Sequence, residues 1–348
     1  MNNRRRILIL SALLGAAIGL FFVFKFYQVF FQSNTRFEQQ TQAVYIKKNT
    51  DLQTLIRQLN PYLISTESFV LAAQKKGYAT RIKSGKYELK KGSSNNDLIN
   101  TLRSQSKTVK VRFNNQERLE DLAGRLAQQL APDSLDFVMA FKDHDFLHDK
   151  PFDTFNALAM YLPNTYDFFW DTTAAEFCSR MWNEYQRFWN DERRAKADKI
   201  GLTPEQVIAL AAVVQKETVK KDERKRVAGV YLNRINRGMK LQADPTVIYA
   251  LKLKENNFDT LIKRVLYKDL NIQSPYNTYR YAGVPPGPIT MPDLDAIAAV
   301  LDPEQHSFLY FVADPSNPGY HAFAKTLGAH NRNKRSYVKW INSQKIYR

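Results

Sequence analysis

The sequence predicts an α+β protein carried by one N-terminal transmembrane helix, and three observations predict it. Arg4, Arg5 and Arg6 precede residues 7–24, a run of 18 without a formal charge. Short strand patterns then alternate with amphipathic helical ones between residues 44 and 126. Beyond Thr172 helical periodicity dominates, and residues 203–249 form the stretch around which the chain is organised.

The elements follow in order. As a helix, residues 7–24 span ~27 Å, close to the hydrocarbon thickness of a bilayer. Lys25 can snorkel to the interface, and Phe26, Tyr27, Phe30 and Phe31 read as an aromatic belt. The arginines place residues 1–6 in the cytoplasm, residues 7–31 in the membrane and the rest outside. A cleaved signal peptide is the alternative. Small residues (Ser11, Ala12, Gly15, Ala16, Ala17) lie inside the apolar run, but no polar cleavage region follows it cleanly, so an uncleaved anchor is favoured.

Residues 32–42 are polar and read as a stalk. In residues 43–91, Val44-Tyr45-Ile46 alternates as a strand, 51–59 carries helical periodicity and Pro61 ends it. Ser65 or Thr66 can cap a second helix that Gly77 stops, and 86–89 reads as a returning strand. A strand, a polar turn and an amphipathic helix recur from Tyr45, from Tyr87 and from Val109, as a loose repeat or as generic patterning. Residues 92–150 are a connecting α/β segment that ends in an acidic, aromatic stretch. Residues 172–196 read as a long helical stretch whose Phe177, Met181, Trp182, Tyr185, Phe188 and Trp189, at helical spacing, read as core or domain contact.

The central helix starts with a cap: the Thr203 hydroxyl, Pro204 at the first helical position and Gln206 placed to bond back. Residues 207–214 are apolar on every face, which predicts a buried helix. Glu217 lies three residues after Val214 and seven after Leu210, so it shares their stripe. A carboxyl at the end of a buried stripe is partly desolvated, which raises its pKa toward that of a general acid near neutral pH. The alternative is a helix-end glutamate paired with Lys216, Lys220 or Lys221 on a solvated face.

Several blocks in one order carry a resemblance: Gln215-Lys216-Glu217-Thr218, Glu223-Arg224, Val227-Ala228, Asn233-Arg234, residues 238–242 and Asp244-Pro245-Thr246-Val247-Ile248-Tyr249. Tyr276-Asn277-Thr278-Tyr279 and Gly283-Val284-Pro285-Pro286-Gly287-Pro288-Ile289 continue it. The chain resembles the endolytic murein transglycosylases, the MltG or YceG-like family, strongly from about residue 161 to 337 and more weakly before. The resemblance implies a LysM-like βααβ glycan-binding unit at 43–91 and a mostly helical catalytic domain with a β-rich tail at 151–348. It also implies that Glu217 is the catalytic acid/base. Such enzymes need one glutamic acid, which protonates the glycosidic oxygen leaving the muramic acid and then takes the proton of that sugar's C6 hydroxyl. The hydroxyl attacks C1 internally, so proximity replaces a positioned water and a 1,6-anhydro sugar results. Where the family usually has Asp, this chain has Asn164, which argues against an acid role there.

Within the matched blocks, Glu223 reads as an orienting or substrate-binding group, or as a structural partner of Arg224 or Arg226. Asp244 reads as the cap of a helix over 246–251 in preference to a catalytic acid, and as a candidate substrate contact. Asn233, Gln242, Tyr276, Asn277 and Tyr279 supply amides and rings suited to sugars. Residues 285–288 are a rigid proline-rich wall. His321 and His330 match family elements and read as packing or cleft-edge residues.

At 348 residues with 44% hydrophobic content, the chain can hold two or three cored domains. The single Cys178 excludes an internal disulfide, and five scattered histidines without HExxH predict no metal and no cofactor. The net charge of +17 implies an anionic partner. No nucleic-acid motif accompanies it, whereas acidic lipid of the cytoplasmic membrane and the carboxylates of cell-wall peptides suit it equally. The expectation is a single-pass enzyme cutting peptidoglycan glycan strands within their length on the outer face of the cytoplasmic (inner) membrane. The resemblance implies that it works beside penicillin-binding glycan polymerases and ends nascent strands. A hydrolytic muramidase and a non-catalytic peptidoglycan-binding scaffold are the rival readings.

Overall fold

A computed structural model describes residues 3–153 and 155–343, with side chains from residue 6 onward. Of the tail expected at 1–6, residues 1 and 2 lie outside the described residues and residues 3–6 belong to the first helix. The chain runs α1 (Asn3–Phe31), β1 (Thr41–Ile46), α2 (Leu52–Leu59), α3 (Thr66–Lys75), β2 (Gly85–Lys90), α4 (Asn95–Arg103) and β3 (Thr108–Phe113). It continues through α5 (Leu119–Ala127), α6 (Ser134–Phe141), α7 (His144–Leu147), β4 (Asn164–Phe169), α8 (Ala174–Phe188) and α9 (Asp191–Lys199). Then come α10 (Pro204–Glu217), α11 (Arg224–Asn236), α12 (Asp244–Glu255), α13 (Leu294–Leu301), β5 (Tyr310–Ala313), β6 (His321–Ala324) and α14 (Leu327–Ser343). The strands pair as three two-stranded sheets, β1-β2, β3-β4 and β5-β6.

Two units divide the chain. The first holds residues up to 111 with Gln129–Pro132 and Tyr166–Thr173. Its β1 and β2 pair antiparallel from Thr41↔Lys90 to Ile46↔Gly85, which turns Val44, Ile46, Tyr87 and Leu89 into one core. Leu55 and Leu59 of α2, Phe69 and Ala72 of α3 and Leu98, Ile99 and Leu102 of α4 close that core. Each helix starts where a short polar side chain takes an orphan N–H: Asp51 accepts from Thr54, Ser65 from Ser68 and Ser94 from Asp97. The β-α-α-β order expected before residue 91 is present. Residues 33–35 bridge to Ser94 and Leu63, and the buried Asn34 amide donates to Asn95 and to the Ser65 carbonyl. Residues 6–31 have a mean hydropathy of 2.7 in their most apolar window, which is unburied. That is long and apolar enough to cross a membrane, a test that a signal sequence also passes.

The second unit holds Arg112–Gln128, Asp133–Thr165 and everything from Ala174. Residues 207–214 of α10 are all buried and pack against α13 and α11, where Ile297, Val300, Val227 and Val230 are buried too. Phe113, Phe137, Phe141, Tyr161 and Phe177 make a second, aromatic cluster with ring centroids 4.8–6.4 Å apart. Two expectations need correcting. The long helical stretch over 172–196 is two helices, because Asn190 adopts an extended conformation and its Oδ1 accepts from the Arg193 N–H at 3.0 Å, starting α9 afresh. The β-rich tail reduces to the four-residue strands β5 and β6, after which the Thr326 hydroxyl caps the 17-residue α14. The long segment after α12 holds shape through Asn277, whose amide donates to the Leu270 and Ile272 carbonyls, both at 2.9 Å. Gly287 lets the proline-rich wall approach residue 155, since a Cβ there would meet the Phe155 oxygen at 2.0 Å.

Candidate active site

The Thr203–Gln206 capping box forms as its residues predict, with N···O distances of 3.0 and 3.3 Å. It fixes the start of α10, and Thr218 fixes its end by turning extended (φ −136°, ψ 132°). Glu217 is thus the last helical residue. It opens on a cavity of about 260 Å³ lined by Tyr231, Arg234, Leu241, Gln242, Asp244, Tyr279, Phe311 and His330. Helix α11 contributes Tyr231 and Arg234, α12 contributes Asp244, β5 contributes Phe311 and α14 contributes His330.

Burial pushes the Glu217 carboxyl up to about 7. The Tyr231 hydroxyl donates to Glu217 Oε1 at 2.7 Å and opposes that rise; nearby Asp244 adds to it, while His321 and Arg234 oppose it. The residue as a whole is only half-buried because one side faces the cavity, yet its carboxyl lies deep among protein atoms. Oε2 has no hydrogen-bond partner among the described residues and is free to carry a proton. Arg234 is buried and spends its donors on the Leu309, Lys240 and Leu241 carbonyls, which leaves its positive charge unneutralised by any of those bonds.

Glu223 meets a different fate. It is 3% exposed, and its two oxygens accept from the His321 N–H at 2.8 Å and from His321 Nδ1 at 2.7 Å. Burial would raise its pKa, but the His321 hydrogen bonds and charge, with help from Thr218, outweigh burial and hold it low. The arginine pairings considered for it are not made. Arg224 goes to Asp293 and Asp295, and Arg226 to Glu304.

Gln242, Asp244 and Tyr279 share the cavity with Glu217. Asp244 is not the expected cap: it is the first residue of α12, behind Ala243, and its Oδ1 accepts from the Tyr279 hydroxyl at 2.6 Å. Gln242 reaches the rim through a left-handed backbone (φ 52°). Asn233, Tyr276 and Asn277 lie outside it and spend their polar groups on the scaffold. Asn233 donates to the His306 and Phe308 carbonyls, and the Tyr276 hydroxyl donates to the Phe155 carbonyl at 2.9 Å. His330 lines the cavity and stacks on Tyr310, as a cleft-edge residue should.

No local pattern marks Tyr231 or Phe311 in the sequence, and Arg234 stands out there only as part of a matched block. No local periodicity links Tyr231 to Glu217, 14 residues earlier on another helix. A larger cavity of about 690 Å³ lies in the same unit around Glu117, Arg118, Tyr249 and Phe258. Its acids are paired, Glu117 with Lys216 and Lys252 and Glu120 with Lys142, so size and chemistry point to different places. Chemistry selects the smaller one. Among the described residues no group of three or more His, Cys, Asp or Glu is placed to hold a metal ion.

The sequence model described as the YceG-like family matches residues 44–336. The chain is 29% identical over 301 residues to a Bacillus subtilis (strain 168) protein named endolytic murein transglycosylase, covering 82% of this chain and 81% of that one. A protein of the same name from Streptococcus pneumoniae (strain D39) is 40% identical over 138 residues, 39% of this chain and 24% of its own length. Among solved structures, a putative yceG-like protein from Listeria monocytogenes matches with a TM-score of 0.55 at 24% identity. That match covers 85% of this chain and 99% of the other and shows a common fold.

Proposed function

The chain belongs to the YceG-like family, and on that premise we propose that it is a lytic transglycosylase cutting peptidoglycan strands between N-acetylmuramic acid and N-acetylglucosamine. One observation carries the reading: a single carboxyl, Glu217, held near neutrality in pKa by burial and facing a cavity with one oxygen unengaged. The protonated Glu217 gives its proton to the glycosidic oxygen as the C1–O bond breaks. The C6 hydroxyl oxygen of the same muramic acid then bonds to C1, and its proton passes to the Glu217 carboxylate, restoring the acid. No water is consumed. Tyr231 orients the carboxyl, and the Arg234 charge and the Tyr279 hydroxyl face the bound sugars.

The apolar residues 6–31 support a single-pass anchor with the enzyme outside the cytoplasmic membrane. The β-α-α-β order near the N-terminus supports a LysM-like unit that positions glycan. An anchored enzyme meets strands near their site of synthesis and needs no free end, so its cuts fall within strands and end nascent chains beside glycan polymerases. Asp244, in the same cavity, favours a second reading in which it directs a water and the enzyme is a muramidase.

One experiment tests both levels. The full chain should pellet with membranes and need detergent for release. Digestion of purified sacculi in heavy-oxygen water should then give 1,6-anhydromuramic ends that borohydride does not reduce and that carry no label. Reducible, labelled ends would make the protein a muramidase and bring Asp244 into the chemistry.

A further inference from the structure

A second cavity of about 560 Å³ adjoins the first, because both are lined by Asp244 and Tyr279. Its character differs. Its lining combines apolar Val265, Leu266, Leu270 and Ile341 with the cations Lys263, Arg264 and Lys334. All three cations are exposed and none is ion-paired among the described residues, whereas most basic side chains around α10 and α11 have a carboxylate partner. Asp244, the acid between the cavities, is already engaged by the Tyr279 hydroxyl. The groove therefore leaves the catalytic cavity past one occupied acid and enters a cationic, partly apolar extension.

Sugars alone do not call for such a surface. A glycan ring wants amides, hydroxyls and aromatic faces, which the catalytic cavity supplies. Peptides hanging from the lactyl groups of muramic acid carry carboxylates together with small apolar side chains, and those two features match the cations and the apolar lining. We propose that the cavity bounded by Lys263, Arg264 and Lys334 is a subsite for the acidic peptide attached to the muramic acid at the cleavage point. The enzyme then prefers strands that still bear their peptides over stripped ones. This rests on the transglycosylase reading above and adds a substrate class to it.

The test compares three preparations of one glycan: peptide-bearing strands, strands stripped by an amidase, and peptide-bearing strands whose carboxylates are converted to amides. Detergent-solubilised full-length enzyme is assayed on each, beside the variant Lys263→Gln/Arg264→Gln/Lys334→Gln. The parent should favour the first substrate over the other two, through KM more than kcat. In the variant that preference should fall about tenfold, as expected for three exposed ion pairs. Raised salt should erode it in the parent alone. A preference that the variant keeps, or that the amidated strands share, overturns the subsite. So does a loss equal on all three substrates that appears only in vesicles rich in phosphatidylglycerol, which would assign the cations to a lipid surface. Failure of the parent to cut any of the three would instead refute the transglycosylase reading itself.

Discussion

Two short regions on either side of Thr218 carry glutamates six positions apart, and protein structure sends them in opposite directions. At the end of α10, Glu217 is surrounded by protein and offered one neutral donor, so burial dominates and its pKa climbs to about 7. In the turn that follows, Glu223 leaves less of its surface to solvent, but its carboxyl lies less deep among protein atoms; a backbone N–H and the His321 ring bond both of its oxygens, and its pKa falls. Burial alone does not make an acid. Two things differ: how deep the carboxyl itself lies, and whether its charged form is supplied with donors.

Glu217 has the most to lose from a single substitution. Glu217→Gln keeps shape and removes the titrating proton, so turnover should fall ~10²–10⁴-fold while glycan binding survives. Activity within a few-fold of the parent would remove Glu217 from the chemistry. The same variant has a second readout. A raised pKa means that the neutral acid favours the fold, with full effect below the unfolded value of 4.5 and loss as pH rises through about 7. Glu217→Gln should therefore become more stable than the parent by about 1–3 kcal/mol near pH 8, and the difference should vanish toward pH 4.

The second member predicts the reverse sign. His321→Ala strips the ring from a buried carboxylate and should destabilise the fold by about 2–3 kcal/mol at neutral pH. Because the Glu223 pKa is depressed, the stabilisation exists above about 4.5 and is lost as pH falls through its lower folded value. Denaturant titrations at pH 7 and pH 3 should show the gap between parent and variant closing in acid. A gap that stays open would mean that His321 acts by packing against Phe311 rather than by charge.

Much of this was legible in the sequence, and where legibility ended is physical. The capping box and the all-round apolar run defined α10 because both are local. Spacing put Glu217 on their stripe but left a solvated helix-end pairing open, and only the resemblance implied its catalytic role. The break at Asn190 was obscured by aromatics that keep helical spacing on both sides of it. Asn277 looked like a sugar ligand because an amide in a loop reads the same whether it faces a substrate or, as here, two carbonyls of its own segment. The partners that decide the carboxyl chemistry, Tyr231 for Glu217 and His321 for Glu223, lie 14 and 98 residues away. Such pairings are made by helix packing and by the β5-β6 hairpin, and no local pattern records them.

The smallest effect sharpens the comparison most. Tyr231→Phe removes the one hydroxyl that donates to Glu217 among the described residues and leaves the ring in place against Phe311. A donor to a carboxyl oxygen favours its charged form, so its loss should push Glu217 still higher, further from Glu223. The alkaline limb of the pH–rate profile should move up by less than about one unit. Turnover near pH 6 should fall by less than about tenfold, since the acid is weaker and less firmly oriented but still present. A limb that stays put would mean that burial alone sets the Glu217 pKa. A limb that moves down would mean that the lost hydroxyl admits water to the carboxyl, so that hydration replaces more than the hydrogen bond supplied. In that case the contrast between the two glutamates would rest on how tightly Tyr231 closes the cavity wall, and not on which donors each carboxyl is given.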